Sequence, residues 1–122
     1  MNNSITHQKT KAFAIRIIRF HKYLTTEKNE YIISKQLLRC GTSIGANTRE
    51  CNNAQSKHDF IHKLSIALKE ADETAYWLEL LVESEIIDNN IFNSLYNDLS
   101  EIIALLTSSI KTAKQNLSNQ QP

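Results

Sequence analysis

Apolar residues along this chain recur every three or four positions in four separate runs, the repeat of helices that each bury one face. In the first run Phe13, Ile17, Phe20 and Leu24 predict a helix over about residues 8–24, closed by Thr25, Thr26 and Asn29. The second, on Ile33, Leu37, Cys40, Ile44 and Cys51, predicts a helix over about 30–52. The third, on Phe60, Leu64, Ala67, Ala71, Ala75, Leu78 and Val82, predicts one over about 57–86, opened by a capping-box pattern from Ser56 to Asp59. The fourth, on Leu95, Leu99, Ile102, Leu106, Ile110 and Ala113, predicts one over about 90–114, after the helix-capping turn Asp88-Asn89-Asn90. Residues 115–122 read as a polar, frayed tail.

Short connections between four such helices favour an all-α fold, an antiparallel up-down-up-down four-helix bundle formed by residues 1–122 as one domain. With one Pro and two Gly in 122 residues, the chain lacks the turn punctuation a sheet requires. Those two glycines, Gly41 and Gly45, stand four apart inside the second helix. They cost helix propensity there unless another backbone packs close.

The third helix carries a second apolar set. At 100° per residue, Ile66, Trp77, Leu80 and Leu81 fall largely opposite its core stripe, where a lone bundle should be polar. Such a face needs a second partner, and another copy of the same chain is the simplest one. These four residues are the expected oligomer interface.

A formal net charge of +1 hides a segregation. Residues 1–69 hold 12 Lys/Arg against 4 Asp/Glu, whereas residues 70–110 hold 9 Asp/Glu and no Lys/Arg. On the first helix Lys9, Lys11, Arg16, Arg19 and Lys22 share an arc of about 160° with only Ile15 intruding, and Lys35, Arg39 and Arg49 extend the positive half. Lys9, Arg16, Arg19, Lys22, Lys35, Arg39 and Arg49 are the candidate nucleic-acid contacts, since such a face suits phosphates. A solvated charged face, or one used against the acidic half of a neighbouring copy, is equally compatible with the pattern.

Little else suggests chemistry. Cys40 and Cys51 lie eleven positions apart on one helix, roughly 16 Å, too far for a disulfide, and read as small buried hydrophobes. His58 and His62 share a helical face without a third ligand, so no metal or other cofactor is expected. No phosphate loop, nucleophile elbow or CxxC motif occurs, which argues against an enzyme. Residues 1–11 are polar and no apolar run approaches the roughly 20 residues of a membrane span, so a cytoplasmic protein of bacterial type is expected.

Arg39-Cys40-Gly41-Thr42-Ser43-Ile44-Gly45-Ala46-Asn47, the stretch from Ser56 to Thr74 with its Lys69-Glu70-Ala71-Asp72-Glu73-Thr74 segment, and Tyr76-Trp77-Leu78 with Leu80-Leu81 resemble the four-helix bundle proteins of intervening sequences in bacterial 23S rRNA genes. The likeness covers roughly residues 8–114. It implies a small up-and-down bundle that assembles as a homopentamer without enzymatic activity. A related group, the accessory variability proteins of diversity-generating retroelements, implies binding of nucleic acid and of a reverse transcriptase. Thr48-Arg49-Glu50 depart from the usual continuation after Asn47 and add a positive charge. The resulting expectation is an oligomeric module for RNA, DNA or ribonucleoprotein, with a protein-interaction scaffold as the competing reading.

Overall fold

The computed structural model describes residues 3–119, and all of its regular structure is helical. Helix α1 spans Asn3–Glu27, α2 Ile33–Glu50, α3 Lys57–Glu83 and α4 Asn89–Asn119, with a short 3-10 turn at Cys51–Asn53. Each helix packs on its sequence neighbours, and α1 meets α4 to close the ring, the arrangement of an up-down-up-down bundle. The predicted stripes form its centre. Phe13, Ile17, Leu37, Ile44, Leu64, Leu78, Leu99, Ile102 and Leu106 are essentially without solvent contact.

The boundaries differ from the sequence expectation for identifiable reasons. Helix α1 begins earlier because Thr6 and Thr10 continue its buried stripe; the Thr10 hydroxyl donates to the Thr6 carbonyl at 2.8 Å and so enters the core with its polar atom satisfied. Thr48 and Thr74 are buried in the same way, donating to the carbonyls of Ile44 and Glu70 one turn back.

Helix α2 begins later than expected because Glu30 stands outside it as the cap. Asn29 takes a left-handed conformation (φ 52°), and the Glu30 N–H returns to the Leu24 carbonyl, which reverses the chain. The Glu30 carboxylate then accepts from the N–H groups of Ile32, Ile33 and Ser34 at 3.2, 3.1 and 2.6 Å, and its negative charge lies at the positive end of the helix. Glu30→Ala is expected to lower stability by about 1–2 kcal/mol. Glu30→Gln, which keeps an acceptor, should lower it less; denaturant midpoints for the two variants check the order.

Helix α3 starts as expected. Ser56 Oγ accepts from the Asp59 N–H at 3.0 Å, while the Asp59 carboxylate accepts from Gln55 rather than from Ser56 itself. It ends three residues sooner than expected, because Glu85 adopts φ 63° and the N–H groups of Glu85 and Ile86 turn back to the carbonyls of Val82 and Leu81. Asp88 caps α4 through the Ile91 N–H at 2.9 Å. That helix does not stop at residue 114: Gln115 to Asn119 remain helical with Leu117 half-buried, so the expected frayed tail is ordered helix up to Asn119, and residues 120–122 lie outside the described part.

The glycine expectation is met at the α1–α2 crossing. A Cβ on Gly41 would come within 2.9 Å of both γ carbons of Ile17, and one on Gly45 within 3.3 Å of the Thr10 carbonyl oxygen. Cys40 and Cys51 are free and buried, as read; burial pushes both thiols up to about 11, and the Cys40 sulfur lies 3.2 Å from Thr74 Oγ1. Among the described residues no helix is long and apolar enough to cross a membrane.

Candidate nucleic-acid interface

The seven predicted phosphate contacts divide into two groups once the helices are placed. Helix α1 turns one edge of its basic arc toward α4, and two of the cations there are already engaged: Lys9 Nζ lies 2.7 Å from Glu101, and Arg16 bonds Asp98 at 2.6 Å and the Ser94 hydroxyl at 2.9 Å. On α2, Arg39 reaches across to Glu70 at 3.0 Å and also pairs with Glu73, both on α3. Exposed pairs of this kind stabilise by about 0–1 kcal/mol at most, yet they occupy the charges that a phosphate would need.

Arg19, Lys22, Lys35 and Arg49 form the other group. They are exposed and have no ion-pair partner among the described residues, and Lys11 joins them. The contacts of Gly45 with Thr10 and of Gly41 with Ile17 set an antiparallel register between α1 and α2. It places Lys11 near Arg49 at one end of their shared outer surface and carries Lys22 and Lys35 to the other. Lys11 and Lys22 are eleven residues apart, roughly 16 Å along α1, a length that spans about five phosphates of a duplex strand at about 3.4 Å each. The acidic side chains Asp72, Glu79 and Glu83 are exposed on α3, away from this surface. The chain is therefore electrically two-sided.

The apolar intrusion is larger than the sequence arc suggested. Ile15 is 41% exposed and Ile18 is 52% exposed, so α1 presents Lys11, Ile15, Ile18 and Lys22 in one outward row.

Among the expected interface residues, Leu81 is a correction. It is fully buried inside this chain's own core, because α3 is covered on two flanks, by α2 and by α4, and its buried arc is wider than one stripe. Ile66 and Leu80 are half-buried. Trp77 packs partly on the core, with its indole N–H directed to Glu73 at 3.4 Å and its ring edge-on to exposed Tyr76. The outermost large apolar side chain of the described residues is one that the periodicity did not single out: Ile32, in the α1–α2 connection, is 78% exposed. His58 and His62 are both exposed, and no three His, Cys, Asp or Glu of the described residues converge as a metal site.

Comparison with known proteins agrees with this architecture. A crystal structure of a protein of unknown function from the S23 ribosomal protein family of Bacteroides thetaiotaomicron is similar at 52% identity and a TM-score of 0.89, over 91% of this chain and 99% of that one. A search of curated proteins finds no match. The family of 23S rRNA-intervening sequence proteins matches residues 2–108, and neither description names a catalytic activity. On a match over nearly its whole length, this four-helix chain belongs to the 23S rRNA-intervening sequence protein family.

Proposed function

We propose that this chain is a non-enzymatic, homo-oligomeric bundle that holds nucleic acid, or a ribonucleoprotein, on the outer surface shared by α1 and α2. One observation carries the reading: that surface presents Lys11, Lys22, Lys35 and Arg49 without an acidic partner among the described residues, while Lys9 and Arg16 toward α4 and Arg39 toward α3 are paired. Phosphate contacts of this type confer affinity with little sequence preference. The family resemblance suggests five copies per assembly, and half-buried Ile66, Trp77 and Leu80, with exposed Tyr76, offer the apolar surface for it.

Salt titration tests this. With about four phosphates neutralised per protomer, the logarithm of the affinity for a short oligonucleotide should fall with a slope of about −2.8 to −3.6 against the logarithm of salt concentration, roughly a 50- to 150-fold loss between 50 and 200 mM. The exposed Ile15 and Ile18 favour a second reading, a protein scaffold whose partner offers an apolar strip rimmed by acids. Absence of oligonucleotide binding at 50 mM salt would leave that reading in place of the first.

A further inference from the structure

Between α1 and α2 the outer surface sinks into a half-open groove of about 540 Å³. It exists because the two helices touch at Gly45 and Thr10, and because the residues beside that contact, Ala14 and Ala46, carry only methyl groups with which to fill the crease. Its rim carries Lys11 and Arg49, both without an acidic partner among the described residues, and His7, whose Nε2 lies 3.3 Å from the Thr48 carbonyl. Among the described residues no acidic one lines it.

This combination differs from a general phosphate-binding surface. Cations alone would hold a strand by its backbone from outside, whereas a crease with a methyl floor and two flat groups, an imidazole and a guanidinium, at its rim matches the planar face of a base. Its volume falls within the range of small-molecule sites, roughly 300–1,000 Å³. A base stacked and paired inside a duplex cannot enter such a crease, but an unpaired one can.

We propose that the groove seats one phosphorylated nucleoside, its base on Ala14 and Ala46 against His7 and Arg49 and its phosphate on Lys11. The ligand is either an unpaired nucleotide of a strand or a free mononucleotide. This rests on the nucleic-acid reading of the same face and adds to it a preference for unpaired strands.

Ala46 is exposed, so Ala46→Phe fills the groove while leaving every cation and the core in place. Fluorescence anisotropy with a 12-nucleotide single strand and with a 12-base-pair duplex should show a loss of tenfold or more for the single strand, and a change of less than twofold for the duplex. In the unmodified protein, AMP titrated against amide NMR signals should shift residues 10–14 and 42–49 if free mononucleotides are bound. Shifts seen only with the oligonucleotide assign the groove to strands. Equal single-strand affinity in Ala46→Phe and the unmodified chain, or oligonucleotide-induced shifts that avoid these two segments, overturns the groove while leaving the charged face standing. No binding of either oligonucleotide to the unmodified chain overturns both.

Discussion

Replacing Gly41 by valine is expected to destabilise the bundle by about 3 kcal/mol, a large share of the roughly 5–15 kcal/mol by which a domain of this kind exceeds its unfolded state. The reason is local. A Cβ at this position lies 2.9 Å from Cγ1 and Cγ2 of Ile17 and 3.3 Å from its Cβ, and Ile17 is completely buried, so the side chain that would have to move is branched and enclosed. Valine adds two further methyls to that clash. Alanine sets two effects against each other: the overpacking costs about 1–3 kcal/mol, while removing a helical glycine returns about 1. The net expectation for Gly41→Ala is a loss of about 1 kcal/mol. A double-mutant cycle with Ile17→Ala isolates the cause, because that truncation removes both offending γ carbons, and the double variant should be less destabilised than the sum of the single ones. Urea midpoints at unchanged m-value measure this. A Gly41→Ala protein more stable than the parent would refute the steric argument. Gly45 differs in kind: its would-be Cβ meets the Thr10 backbone carbonyl, and no side-chain truncation at position 10 can relieve it.

The bundle was legible in the sequence where burial and hydrophobicity coincide. Phe13, Ile17, Phe20 and Leu24 on α1, and Leu95, Leu99, Ile102, Leu106 and Ile110 on α4, are buried as their spacing requires. Legibility failed where a polar residue does a core residue's work. Thr6 and Thr10 belong to a stretch that reads only as polar, yet a threonine that bonds a carbonyl one turn back hides its hydroxyl from the core, so α1 extends to Asn3. Glu30 read as the first residue of a helix and is instead its cap, a distinction set by the left-handed Asn29 before it. Leu81 read as outward-facing because a helical wheel with one core stripe has no means of showing that α3 is covered by both α2 and α4. The candidate site follows the same logic. Charge and helical phase placed Lys9 and Arg16 on a basic arc, but which edge of that arc faces Glu101 and Asp98 depends on where α4 packs, and this is a tertiary fact.

That division of the cations is the basis of the largest functional effect expected. At 50 mM salt each phosphate contact contributes roughly tenfold to affinity through counterion release, so the triple variant Lys22→Gln, Lys35→Gln, Arg49→Gln should bind an oligonucleotide about 10³-fold more weakly than the parent. Its stability should change little, since all three side chains are exposed and make no ion pair that the substitutions would break. A matched variant, Lys9→Gln, Arg16→Gln, Arg39→Gln, removes as many cations from the same half of the sequence. These are the ones held by Glu101, Asp98, Glu70 and Glu73, so affinity should fall by less than about fivefold, with a small loss of stability as the bonds between helices disappear. Sedimentation of both variants should match the parent, because neither set includes Ile66, Trp77 or Leu80. If the two triples lose affinity equally, the intrachain pairs open on binding and the whole basic half of the chain acts as one surface. If the first triple binds like the parent, the α1–α2 face is not where nucleic acid sits, and its exposed isoleucines then mark it as a surface for protein.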